Sequence, residues 1–123
     1  MDTPEHFALA DGYARYCPVG QVTLQQGVNL LSIAIAYARE RAIQRLLIDS
    51  TGLTGFDPPT TLERFTLGGQ IARAAQGAVK VALVVPAVMI DPKKFGLTVA
   101  RNRGMVGEVF TSEAEALEWL RAD

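Results

Sequence analysis

The sequence predicts an α/β domain: a mixed sheet of about five strands, mostly parallel, with an N-terminal antiparallel hairpin and about four helices. Short apolar runs such as residues 46–48 and 79–85 alternate with longer segments of helical periodicity, as in a parallel sheet with helical crossovers. Asp11-Gly12 separates two β-prone runs near the N-terminus, which is typical of a hairpin turn. The length of 123 residues fits one domain, spanning residues 1–123.

The first third of the chain predicts the hairpin and the longest helix. Residues 7–9 and 13–16 are the two hairpin strands. Thr23 and Gln26 have the spacing of a capping box, which satisfies free amide groups at a helix start. One apolar face follows at intervals of three and four residues, and a second apolar stripe lies beside it: Leu24, Val28, Leu31, Ile35, Ala38 and Ala42, then Leu30, Ile33 and Tyr37. A helix with so much apolar surface is expected to be deeply packed or to cover a partner.

The middle third predicts two buried strands around a second helix. Residues 46–48 form a strand that ends at Asp49, and residues 50–59, with two Gly and two Pro, form a loop. Thr60 and Glu63 are a second capping box, beginning a helix that ends near Gln76. Gly68-Gly69 inside this helix predicts either close backbone packing or a kink. The next buried strand covers residues 79–85.

The last third predicts two more helices around a final strand. Asp91-Pro92 resembles a helix N-cap followed by proline at the first helical position, with a helix to about Arg103. Residues 108–110 are the last strand. Ser112 and Glu115 form a third capping box. The final helix is expected to present three apolar residues to the core: Ala114, Leu117 and Leu120.

Composition excludes several classes of function. The chain has 12 Lys+Arg against 13 Asp+Glu, a net charge of −1, so no basic nucleic-acid-binding surface is expected. One Cys excludes an internal disulfide and a Cys-cluster metal site, and one His excludes a multi-His metal centre. No glycine-rich phosphate-binding loop occurs. No cofactor and no metal are predicted.

The same residues predict a cytoplasmic protein. The first ten residues contain no Lys or Arg and no apolar run of the length that a signal peptide needs. No stretch approaches the roughly 20 apolar residues of a membrane-spanning helix. A lone Cys17 fits a reducing compartment.

Residues 47–62, with the sequence LIDSTGLTGFDPPTTL, resemble the signature region of the STAS family, the fold of bacterial anti-sigma-factor antagonists (SpoIIAA-like). In that family a strand ends in Asp, a Gly-containing loop follows, and a second Asp precedes a phosphorylated Ser at a helix start. Asp49, Gly52 and Asp57 take the first three positions, and the order of elements matches over nearly the whole chain. Pro58 stands where the phosphorylated Ser would be, so the phosphorylation switch of the family is not expected at that position.

The resemblance implies a non-enzymatic regulatory module that binds a protein partner through the loop at residues 49–61. Asp49 would brace the loop, and Thr51, Leu53 and Phe56 would provide contacts. An aromatic residue in such a loop is either exposed or folded inward as an anchor, and the inward orientation is favoured for Phe56. Asp57 and Thr60 would cap the following helix.

Three alternatives stay open. STAS-like proteins resemble the CRAL-TRIO lipid-transfer domains in topology, and Gly68-Gly69 with Gly96 would leave space for a small apolar ligand or lipid beneath the second and third helices. A small enzyme would use Asp49 and Asp57 as paired carboxylates or as a Mg²⁺ site, although turn-forming roles are the simpler interpretation. A homodimer would use the apolar helix at residues 24–42.

Isolated polar residues elsewhere have simple interpretations. His6 is expected to be solvated, and Cys17, although close to Arg15, is expected to be a small buried or half-buried hydrophobic residue. A group of basic residues around the third helix would meet phosphates or anionic lipid, but is more often a solvated face: Lys93, Lys94, Arg101 and Arg103.

Overall fold

The computed structural model describes residues 2–122. In that range the strands are β1 (Phe7–Ala10), β2 (Tyr13–Tyr16), β3 (Gly20–Gln21), β4 (Arg45–Asp49), β5 (Leu53–Thr54), β6 (Lys80–Val84) and β7 (Val106–Phe110). The helices are α1 (Leu24–Glu40), α2 (Thr61–Ala75), α3 (Phe95–Asn102) and α4 (Glu113–Arg121), with a single 3₁₀ turn at Ala87–Met89. None of these helices is both long and apolar enough to cross a membrane.

The main sheet has five strands in the order β1-β2-β4-β6-β7. Strands β1 and β2 pair antiparallel around Asp11-Gly12, where Gly12 has a φ of 79° that favours glycine. Every other pairing in this sheet is parallel. The α/β fold with a mixed, mostly parallel sheet, an N-terminal hairpin and four helices is therefore confirmed.

Alternation of side chains along the strands divides the core into two layers. On one face of the sheet, Leu46 and Ile48 of β4 pack with residues of α1, α2 and α3. On the other face, Leu47 packs with Ala116 and Leu120 of α4. Three helices thus cover one face, and α4 lies on the opposite face.

Two of the three predicted capping boxes are complete. Thr23 and Thr60 each accept a hydrogen bond from the amide three residues on, and the side chains of Gln26 and Glu63 accept the reciprocal bonds. The Ser112 hydroxyl accepts a bond from the Glu115 amide at 3.3 Å, so α4 has that half of the motif. These caps explain why the helix starts could be located from the sequence.

The predicted start of α3 was wrong. Of the predicted inner face of α4, Ala114 was wrong, whereas Leu120 is buried and Leu117 packs against the same core. Asp91 does not open the helix; its carboxylate accepts bonds from the amides of Lys93 and Phe95 and so holds a turn, and α3 begins at Phe95. In α4 the buried residues are Ala116 and Leu120, while Ala114 is exposed and Leu117 is half-buried. The spacing of four residues between Ala116 and Leu120 sets the face that meets the sheet.

The apolar face predicted for a homodimer is used inside the fold. Val28, Leu31, Ile35 and Ala38 of α1 are buried in the core that α1 shares with the sheet and α2. On the second stripe Tyr37 is buried, whereas Ile33 is 50% exposed. Packing within one chain therefore accounts for most of the apolar surface of this helix.

A close helix contact explains the Gly68-Gly69 pair. A side chain on Gly68 would collide with the carbonyl oxygen of Gly96, and one on Gly69 would collide with the Arg103 guanidinium. Of the two expectations for this pair, close packing is confirmed, because α2 and α3 approach at backbone distance.

Candidate functional site

The loop after β4 is held by short-range hydrogen bonds. The Asp49 carboxylate accepts bonds from the amide of Thr51 at 3.0 Å and from its hydroxyl at 2.6 Å. The Ser50 hydroxyl donates to the carbonyl of Val84 at 3.0 Å, which ties the loop to the neighbouring strand. Asp49 thus has the bracing position that the sequence predicts for it, and Thr51 is exposed beside it.

Part of the predicted loop pairs with the segment before α1. Strand β5 pairs in parallel with β3, and the amides of Gly20 and Val22 donate to the carbonyls of Gly52 and Thr54 at 3.1 and 2.8 Å. Gly55 then takes a φ of +102° against Val22, a position where any side chain would meet backbone atoms. This ladder fixes the direction in which the loop side chains point.

The two large apolar side chains of the loop point into the protein. Leu53 is 5% exposed, and Phe56 is half-buried. Both approach Gly27 of α1, where a side chain would lie 3.7 Å from Leu53 and 3.9 Å from Phe56. Phe56 is therefore the inward anchor that the sequence favoured, whereas Leu53 faces inward instead of offering a surface contact.

The remaining predicted site residues lie on the surface at the start of α2. The Thr60 hydroxyl accepts a bond from the Glu63 amide at 3.2 Å, so Thr60 is the cap. Asp57 and Pro58 are exposed in the segment before it. Asp49 is engaged by Thr51, and this gives no support to paired catalysis by Asp49 and Asp57.

An apolar cavity of about 180 Å³ lies between the sheet and helices α1, α2 and α3, which cover one of its faces. Its wall includes Leu53 and Phe56 from the loop. Side chains from α1, α2, α3 and the central strands complete it, among them Leu31, Ile35, Leu67, Ile71, Val81, Leu83 and Leu97. Leu83 is only half-buried although β6 has a strand on each side, because the cavity leaves this side chain uncovered.

Two acidic side chains line the cavity: Asp91, in the segment after β6, and Glu108 of β7. Both are hydrogen-bonded: Asp91 accepts two amide bonds, and Glu108 accepts bonds from Lys94 at 3.3 Å, Arg101 at 2.8 Å and the Val109 amide at 3.0 Å. The amide bonds, first that from Phe95, lower the pKa of Asp91. Burial alone would raise the pKa of Glu108, but its three hydrogen bonds outweigh burial and lower it.

A mixed cluster of side chains lies at the carboxyl ends of β2 and β4. The ligand atoms of Cys17, Asp49 and Glu113 all lie within 4.8 Å of one another. Arg15 already binds Glu113, with its Nε 2.7 Å from the carboxylate, and Thr51 binds Asp49. Two of the three possible metal ligands are therefore engaged, and a cation there would have to compete with the guanidinium.

The surroundings of Cys17 oppose ionisation of its thiol. Burial raises the pKa of Cys17, and the nearby carboxylates of Asp49 and Glu113 raise it further, which outweighs the opposing charge of Arg15. A nucleophilic cysteine needs the opposite shift. The geometry agrees with the half-buried hydrophobic role expected for Cys17.

All four basic residues around α3 are exposed: Lys93, Lys94, Arg101 and Arg103. Lys94 and Arg101 also bind Glu108, as described above. The solvated face that the sequence favours is therefore confirmed, with two of its charges paired.

Sequence reasoning missed an apolar patch at the start of α2. Leu62 is 76% exposed and Phe65 is 47% exposed, and the Phe65 ring stacks on Phe95 of α3 at 5.8 Å. Their spacing of three residues places both on one face of the helix, directly after the capping box. That spacing was the available signal, but it does not tell an inner face from an outer one.

No family model matches the chain, and no curated protein matches it either.

Proposed function

We propose that the chain binds a small apolar ligand in the cavity between the sheet and helices α1, α2 and α3. The observation that carries this proposal is a cavity of about 180 Å³ whose wall is mostly aliphatic or aromatic. Ligand sites are typically concave and apolar with a few polar groups, which is the composition of this wall. The CRAL-TRIO resemblance points in the same direction.

The cavity volume limits the ligand to about one aromatic ring or a short chain. An engineered apolar cavity of about 150 Å³ in another protein stays dry and binds benzene. Sites for drug-sized ligands occupy about 300–1,000 Å³. A cavity of about 180 Å³ belongs with the first class, so a whole lipid does not fit within it.

Leu83 offers the sharpest test because it lies in the cavity wall but is not fully packed. In NMR titrations with toluene and with hexan-1-ol, the native chain is expected to show saturable shifts in amides around the cavity. Leu83→Phe fills the space and is expected to weaken binding at least tenfold, whereas Leu83→Ala leaves the space open and retains binding.

Ile33→Phe is the matched control, because this residue is 50% exposed on α1 and is not part of the cavity wall. It adds the same aromatic bulk and is expected to bind both probes like the native chain. Absence of saturable shifts in the native chain, or unchanged binding by Leu83→Phe, would show that the cavity is not a ligand site.

A second candidate function is protein binding at the start of α2, as the STAS resemblance implies for this region. The supporting observation is the exposure of Leu62 and Phe65 directly after the loop at residues 49–61. This proposal replaces Leu53, which is buried, with neighbouring residues that a partner can reach.

A comparative pull-down tests this second candidate. A partner recovered by the native chain is expected to be lost by the double variant Leu62→Ser/Phe65→Ser and retained by Ile33→Ser, which removes an exposed apolar residue on another face. Circular dichroism verifies that each variant is folded. Equal recovery by the double variant would remove this region as the interface.

A further inference from the structure

Arg64 of α2 contributes a guanidinium group to the cavity wall. The guanidinium carries five N–H donors. One nitrogen, Nη1, donates to the carbonyl of Met89 at 3.2 Å, and no carboxylate among residues 2–122 forms an ion pair with Arg64. Because Met89 also lines the cavity, this bond holds the guanidinium at the cavity wall.

The acidic groups on the same wall are hydrogen-bonded to other donors. Both oxygens of Asp91 accept backbone amides, and Glu108 accepts bonds from Lys94 and Arg101 as well as from an amide. Asp91 still contributes negative charge near Arg64. Lys94 lies on the cavity wall as well, but its ammonium group is paired with Glu108.

Resting on the proposed function, we propose that the ligand is a small apolar carboxylate, with its hydrocarbon part in the cavity and its carboxylate bound by Arg64. A planar guanidinium with unused donors matches a carboxylate in shape and charge. The aliphatic wall excludes a highly charged or extensively hydroxylated ligand, because such groups would lose their hydration without gaining partners. The ligand class is thus short-chain or aryl-substituted acids.

Two probes of nearly equal size separate this inference from the proposed function: 3-phenylpropionate and 3-phenylpropan-1-ol. The native chain is expected to bind the carboxylate about tenfold more tightly than the alcohol, in line with a charge-assisted hydrogen bond at a partly exposed site. Arg64→Met is expected to abolish that preference and to leave the affinity for the alcohol unchanged. Arg64→Lys, which keeps the charge but loses the planar fork, is expected to retain part of the preference.

Arg73→Met is the control, since Arg73 lies on the same helix but is exposed and outside the cavity wall. It is expected to behave like the native chain. Equal affinities for the two probes in the native chain, or a preference that persists in Arg64→Met, would overturn the carboxylate inference alone. Failure of both probes to bind would overturn the proposed function together with it.

Discussion

Substitution of Gly68 by alanine tests the closest helix contact in the fold. The added methyl group would collide with the carbonyl oxygen of Gly96 in α3. That atom belongs to the backbone and cannot rotate away as a side chain would. Relief therefore requires α3 to move away from α2, and both helices form part of the cavity wall.

The expected cost follows from two opposing effects. In an unobstructed helix interior, alanine is about 1 kcal/mol more favourable than glycine. Overpacking a filled site costs about 1–3 kcal/mol, and a backbone obstacle places Gly68 at the upper end of that range. The balance is a loss of about 2 kcal/mol in the free energy of unfolding, which corresponds to about 8 °C in Tm for a chain of this size.

Gly27→Ala is the matched control in another buried helix. A methyl group at Gly27 would meet its nearest neighbours, Leu53, Val22 and Phe56, at 3.7–3.9 Å, which is ordinary van der Waals contact. This variant is expected to gain up to about 1 kcal/mol. Urea and thermal unfolding followed by circular dichroism measure both effects. If Gly68→Ala is as stable as the native chain, the close approach of α2 and α3 is refuted.

Three further substitutions test individual interactions. The pKa of Glu108 is lowered in the folded state, so its contribution to the free energy of unfolding is present above the ordinary carboxyl pKa and is lost as pH falls through the folded value. Glu108→Gln is therefore expected to lose less stability than the native chain between pH 6 and 2.5, as followed by Trp119 fluorescence. An unchanged pH dependence would contradict this. Because the pKa of Cys17 is raised, we expect iodoacetamide at pH 8 to alkylate Cys17 more slowly than free glutathione. Arg15→Ala is expected to slow the reaction further, because the charge of Arg15 lowers the pKa of Cys17. A rate equal to that of glutathione would argue against the burial of Cys17. Thr60→Ala removes the α2 cap and is expected to cost about 1 kcal/mol in urea unfolding, and a cost near zero would mean that this bond does not hold the helix start.

Local chemistry accounts for the part of the fold that could be predicted. The capping boxes at Thr23 and Thr60 and the Asp11-Gly12 turn are each decided within four residues, so the sequence contains all of the information they need. The error at Asp91 has the same origin. An Asp-Pro pair before an apolar segment fits a helix cap, but the Asp91 side chain serves a turn that delays α3 to Phe95.

The inward orientation of Leu53 could not be predicted because it depends on a partner distant in sequence. Pairing of β5 with β3 joins residues 20–21 to residues 53–54 across the whole of α1 and β4. Once this ladder forms, alternation along the strand sends Leu53 inward and leaves Thr54 exposed. A two-residue strand gives too short a pattern to be seen in the sequence.

The cavity illustrates why small residues alone do not reveal a binding site. The sequence has glycine inside both α1 and α2, and the residue type is the same at each place. Gly68 meets the backbone of α3 and closes the space between two helices, whereas Gly27 meets the ends of flexible side chains from the loop. Gly27 and Gly68 both line the cavity, so the residue type alone does not tell where the space beside a glycine is filled. The elements that pack against each glycine decide this, and they make Gly68 intolerant of alanine and Gly27 tolerant of it.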